Sequence, residues 1–212
     1  MKKYLLLLVV AAAFSKISIA QKVMTEGLLQ YAITVVDAGK KPEVAKAFEG
    51  ASQTLMIKGY KAKLEFKSPL RNQTSVYDGQ TGNGFIIKQA GADKYLMPLE
   101  NGNWEKYHQR FRNVVFTKTS ETKNIAGYNC TKATGTMADG GLLTVYYSAD
   151  LTTLANGYDQ SFATLGGIPF EYEISSNGVT VNYKVQSVQM TMVSSGNFDM
   201  PKSGYKLLEF GK

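Results

Sequence analysis

Cysteine and histidine occur once each, as Cys130 and His108, in a chain of 212 residues. A single thiol permits no internal disulfide, so stability has to come from packing and hydrogen bonding. A single imidazole leaves no histidine cluster for a metal. No serine lies in a nucleophile-elbow sequence that would recruit His108 into a triad. Cys130, between Asn129 and Thr131 in an expected strand, reads as a small buried hydrophobe, because a reactive thiolate needs a base beside it. Long apolar runs are scarce as well. The one at residues 4–14 is too short to cross about 30 Å of hydrocarbon as a helix.

That short run has a different use. Lys2 and Lys3 precede it, and Ser18-Ile19-Ala20 follows with small residues at the two positions an export peptidase reads. The expectation is a signal peptide over residues 1–20 and one domain over residues 21–212, exported to the periplasm or outer cell envelope. No later segment resembles a membrane span, so none is expected after cleavage. Losing Lys2, Lys3 and Lys16 takes the formal charge from +7 to +4. Export and this modest charge both oppose a nucleic-acid partner.

What the chain has in abundance is alternation. Tyr60, Ala62, Leu64 and Phe66 interleave with Lys61, Lys63, Glu65 and Lys67, which in a strand gives one dry face and one charged face. Leu29, Tyr31, Ile33 and Val35 share one parity, and Phe170, Tyr172 and Ile174 alternate with Glu171, Glu173 and Ser175. Further strands are expected at residues 53–58, 73–78, 84–89, 94–99, 114–119, 127–136 and 142–148. Thirteen tyrosines and ten phenylalanines fit a half-buried pleated surface and favour strands over helices.

Asp78-Gly79, Asn101-Gly102, Asp139-Gly140 and Asn177-Gly178 tolerate the positive φ of tight turns, which predicts consecutive antiparallel neighbours. From Val179 to Val185 the odd positions are apolar, and from Val188 to Met192 the even ones. A β-bulge near Gln186-Ser187 absorbs such a phase change and bends the strand. Short helices are expected at residues 42–50, around 103–111 and at 159–165. The fold class is mainly β, a strongly curved antiparallel sheet with a few short helices.

Three groups invite a chemical reading. Glu171 and Glu173 fall on one strand face roughly 7 Å apart, a spacing that fits acid/base work on a glycosidic bond, although the alternation already explains them as a solvated face. The glycines of residues 79–84 lack the lysine and the strand-to-helix context of a phosphate loop. Lys106, His108, Arg110 and Arg112 form a basic stripe if extended, suited to an anionic group or an acidic partner; in a helix they scatter. No cofactor or metal is implied, and an enzyme is not expected.

Residues 122–132, Thr-Lys-Asn-Ile-Ala-Gly-Tyr-Asn-Cys-Thr-Lys, resemble the "K-x-I-x-G-Y-x-C-x-K" strand of exported Bacteroidetes proteins of the GLPGLI family and related domains. Residues 145–151 look like the aromatic strand that follows in them. Residues 165–170 are similar to their glycine-proline turn, and residues 198–206 to their closing "F-x-x-P-x-G-Y". Over residues 122–206 the chain resembles the wider group related to the periplasmic lipoprotein carriers LolA and LolB. The resemblance implies an unclosed half-barrel whose concave face is covered by short helices, and it supplies no catalytic residues.

On that basis the leading expectation is a non-enzymatic envelope protein holding a lipid, a lipoprotein acyl chain or another apolar ligand in the concavity. Phe85, Ile87, Tyr95, Met97, Trp104, Phe116, Met190 and Met192 are the candidate lining residues, the methionines being flexible enough for a variable tail. The alternative is an assembly component that meets an envelope protein through a sheet edge or the basic stripe.

Overall fold

The computed structural model describes residues 21–39 and 41–211, so the expected signal peptide at residues 1–20 lies outside it. The first part of the chain runs β1 (Lys22–Met24), β2 (Glu26–Asp37), α1 (Pro42–Phe48), β3 (Ser52–Lys58), β4 (Lys61–Lys67), β5 (Asn72–Asp78), β6 (Asn83–Ala90), β7 (Asp93–Leu99) and α2 (Asn103–Tyr107). The second part runs β8 (Phe116–Ile125), β9 (Tyr128–Thr136), β10 (Leu142–Ser148), β11 (Leu151–Thr153), β12 (Ile168–Ser176), β13 (Val179–Gln189) and β14 (Lys206–Leu207).

Twelve strands form one unclosed sheet in the order β14-β7-β6-β5-β4-β3-β2-β13-β12-β10-β9-β8. All neighbours are antiparallel except β14, which adds to β7 in parallel. β1 and β11 make a separate parallel pair. The sheet is therefore two meanders, β2–β7 and β8-β9-β10-β12-β13, joined where β13 lies against β2. The register of that seam shifts between Val185 and Ser187, where the phase change in the sequence asks for a bulge. Asn177 and Gly178, both at positive φ, turn β12 into β13.

Pairing decides which side chains share a face. Leu29 lies opposite Leu55, and Leu55 opposite Leu64. Across the seam Tyr183, Tyr172, Val145 and Ala133 continue a row on the same side. This inner face holds most of the core, with Leu29, Leu55, Leu143, Val145 and Phe170 fully buried. Both helices lie on it, each too short to be stable alone. Phe48 of α1 meets Phe66 ring to ring, and Trp104 of α2 packs on Ile86 and Leu99. Pro42 opens α1 without an amide to satisfy, and Gly50 at positive φ follows its end.

Residues 159–165 are not helical. Phe162 N donates to Asp159 O, Leu165 N to Phe162 O, and Ser161 N to the Asp159 carboxylate, which makes consecutive turns. Gly157 and Gly166, at positive φ, bracket them. The loop folds over the inner face and drives Phe162 and Leu165 into the core.

The outer face has its own apolar cluster. Val76, Phe85 and Leu96 are buried there by Val193 and Phe198, from the segment that follows β13 and crosses the sheet before becoming β14.

Candidate functional site

The inner face is filled by the chain's own side chains. Tyr172 stacks on Tyr183 with centroids 4.6 Å apart, and meets Phe162 edge-on at 4.8 Å and Tyr31 at 6.1 Å. Two of the hydroxyls are spoken for: Tyr31 donates to Pro169 O at 2.8 Å, and Gln53 donates to the Tyr172 oxygen at 2.8 Å. Burial pushes both phenols well above their ordinary range, so they are neutral hydrogen-bonding groups. A cavity of about 130 Å³ lies on this side under the loop of residues 154–167, lined by Thr153, Asn156, Tyr158, Asp159, Phe162 and Ile168 among others.

The outer face carries a larger groove of about 310 Å³ between β4–β6 and the crossing C-terminal segment. Its floor is Val76, Phe85 and Ile87, and Asn197, Asp199 and Tyr205 stand over it. Lys63 and Glu65, two apart on β4, form an ion pair at 2.8 Å along one side, at only 14% and 19% side-chain exposure. Taking two charges that far out of water is costly unless their remaining hydrogen-bonding capacity is met. A clasp holds the crossing segment at its start: Glu26 accepts from Lys58 Nζ at 2.6 Å and from Val193 N at 2.7 Å, and Lys58 also donates to Val193 O at 2.9 Å. The lysine hydrogen bond first, and the Val193 amide second, hold the Glu26 carboxyl below the usual range.

The eight candidate lining residues do not share one wall. In β6–β7 Ile87 lies opposite Leu96 and Ile86 opposite Met97, which puts Phe85 and Ile87 on the outer face and Tyr95 and Met97 on the inner. Met97 packs with Trp104 against Ile86 and Leu99. Trp104 is 1% exposed, donates from Nε1 to Gly157 O at 3.0 Å and lies on the Tyr77 ring. Gly84 leaves the space the indole fills, since a Cβ there would come within 2.6 Å of it. Tyr95 sits under Lys206 at the β14 edge, and Phe116 stacks with Phe162. Met190 and Met192 are exposed, at 42% and 89%.

The basic stripe is helical and scatters. Lys106 lies in the last turn of α2, while Gln109–Phe111 form a 3₁₀ turn. His108 is partly buried, bonds Trp104 O through Nδ1 at 2.8 Å and is pushed below its ordinary pKa by burial. Arg110 pairs with Asp139 and Arg112 with Glu105. Glu171 is held by Lys123 at 2.7 Å and Lys184 at 3.7 Å, and Glu173 accepts from Asn182, so both carboxylates belong to an outer-face polar network. The same network places the Tyr146 ring between Lys123 and Lys132 and its hydroxyl on Glu121. Cys130 is buried and its thiol is pushed up to about 12, by burial first and Glu171 second. Among the described residues no group of three or more His, Cys, Asp or Glu is placed to hold a metal, and no helix is long and apolar enough to cross a membrane.

Sequence reasoning missed the outer groove and Asp159. The groove needs the path of residues 190–206 across β4–β6, which no local pattern encodes. The signal for Asp159 was present, an acid in an otherwise uncharged stretch between two glycine turns.

No protein-family model matches the chain, and no curated protein does. Among solved structures, PNGF-II is similar over 87% of this chain with a TM-score of 0.52 at 14% identity, which shows a shared fold. The chain spans 30% of the PNGF-II chain. MucB superposes over 87% of this chain and 60% of its own, with a TM-score of 0.41 at 7% identity.

Proposed function

We propose that this chain is an exported, non-enzymatic binding protein of the cell envelope that holds a lipid or other acyl-bearing amphiphile in the outer groove. The observation that carries the reading is the joining, in one groove, of an apolar floor (Val76, Phe85, Ile87) and a partly buried Lys63–Glu65 pair, whose glutamate also meets the exposed Lys67 at 3.7 Å. An acyl segment on the floor removes apolar surface from water at about 25 cal/mol per Å², while a polar head answers the pair and the Asn197 and Tyr205 side chains. The groove's 310 Å³ lies in the range of pockets for drug-sized ligands, roughly 300–1,000 Å³, whereas the inner cavity's 130 Å³ is too small for an acyl chain. The leader pattern and the resemblance of residues 122–206 to the GLPGLI and LolA/LolB group support the envelope and carrier parts of the reading.

Native mass spectrometry of the exported protein tests it. Lipid co-purifies with the wild type and is lost in Thr74→Trp, which fills the groove from the floor of β5. Absence of lipid, together with no emission change on adding fatty acid to Ile87→Trp, overturns it. The exposed Met190 and Met192 favour a second reading, a protein partner on the adaptable start of the crossing segment. Loss of a partner from envelope extracts on changing both to serine is the outcome that reading requires.

A further inference from the structure

The inner cavity has a composition unlike the outer groove. Among its lining residues Asp159 carries the one charge, and none is Lys, Arg or His. Tyr158 and Phe162 supply aromatic walls, and the hydroxyls and amide of Thr152, Thr153 and Asn156 are distributed around them. Asp159 accepts hydrogen bonds from Ser161 N at 3.0 Å and from the Ser161 hydroxyl. That leaves acceptor capacity, since a carboxylate offers about four lone-pair positions.

The surroundings do not neutralise this carboxylate. His108 is the basic group that acts on it, and burial lowers the His108 pKa, which keeps the imidazole uncharged at neutral pH. The other titratable groups coupled to it are the phenols Tyr31, Tyr158, Tyr172 and Tyr183, all raised by burial and neutral. Burial correspondingly raises the Asp159 pKa above its ordinary value. For an acid with a raised folded-state pKa, stability falls as pH rises from the unfolded value through the folded one, because the native state binds the extra proton. The charged form of this carboxylate is thus disfavoured by its surroundings, and a cation beside it would favour that form.

We infer that the cavity is a binding site for a small organic ammonium ion. Asp159 neutralises the charge, and the Tyr158 and Phe162 rings flank the alkyl and ammonium surface, the arrangement by which aromatic pockets attract cations. Size sets the upper limit. About 130 Å³ is close to the 150 Å³ cavity that admits one benzene molecule, so the ligand carries a few carbon atoms and no long chain. A bare divalent metal is excluded by the donor set, because calcium takes six to eight oxygens and magnesium a near-ideal octahedron.

The test is thermal unfolding of the mature protein at pH 7.5 with ethylammonium chloride, against potassium chloride at equal ionic strength. Ethylammonium raises Tm saturably and potassium does not. Asp159→Asn retains an acceptor for Ser161 N, unfolds at a higher temperature than the wild type without ligand, and loses at least about tenfold in ethylammonium affinity. Phe162→Leu keeps the wall apolar and weakens binding by roughly threefold, in line with loss of a cation–π contact of about 0.5–1 kcal/mol. Thr74→Trp, in the outer groove, leaves the response unchanged, which separates this site from the lipid reading. An equal response to both salts, no response to either, or full binding by Asp159→Asn overturns the inference.

Discussion

The two faces of the sheet solve burial differently. On the inner face, residues from ten strands and the loop of residues 154–167 converge on one large core, α1 and α2 pack in smaller clusters beside it, and the Tyr31 and Tyr172 hydroxyls bond within the chain. On the outer face one segment after β13 covers a small cluster, and leaves charges and a groove beside it. The inner face is thus set by packing density, where a lost methylene is felt. The outer face is set by a clasp of hydrogen bonds whose strength depends on pH.

Replacing Trp104 by alanine tests the inner face most severely. The indole is fully buried and its N–H anchors the loop at Gly157. Chemical unfolding is expected to show a loss of about 3–5 kcal/mol, with Tm falling by on the order of 10 °C. Phe198→Ala removes the matching anchor on the outer face, 4% exposed. It is expected to cost less, about 2–3 kcal/mol, because the crossing segment can collapse toward the sheet. Hydrogen exchange should quicken at Val193 and at the β7–β14 pairing, while β10 and β12 keep their protection.

Acid should separate the faces without mutation. The Glu26 pKa is depressed, so its contribution is present above the unfolded value near 4.5 and is lost as pH falls through the lower folded value. The protection factor of Val193 N–H, its exchange rate relative to the intrinsic rate at each pH, is expected to fall over that window in the wild type and to be low and flat in Glu26→Gln. A protection factor independent of pH in the wild type would show that the clasp does not hold the segment. The smallest effect belongs to Lys206→Ala, whose partner Asp93 is also exposed. Surface pairs of this kind contribute little, and no measurable change in Tm is expected.

Much of the sheet was legible because period-two alternation and turn residues are local. The bulge after Val185 is written in the sequence as a change of parity. What local pattern could not supply was register between strands. Phe85, Ile87, Tyr95 and Met97 are all apolar and near one another in sequence, yet the pairing of Ile86 with Met97 sends the first two to the opposite face from the last two. Residues 159–165 carry helix-compatible composition, but the Asp159 side chain captures the Ser161 amide and Gly157 and Gly166 turn the chain. The basic residues alternate as a strand would, yet Asn101 and Gly102, both at positive φ, start a helix instead. The outer groove depends on where residues 190–206 lie, a matter of tertiary path alone.

The seam between β2 and β13 has a consequence for how the protein acquires its shape. Each meander is built of neighbours in sequence and can organise as soon as it is available. The pairing of Leu28 with Gln189 joins opposite ends of the chain at the middle of the sheet. Closing so long a loop has to come before any reward from the contacts it makes, and topology of that kind slows folding. The centre of the finished sheet is therefore the last part to form, and until β13 arrives the β2 edge of the first meander stands open to any other extended chain.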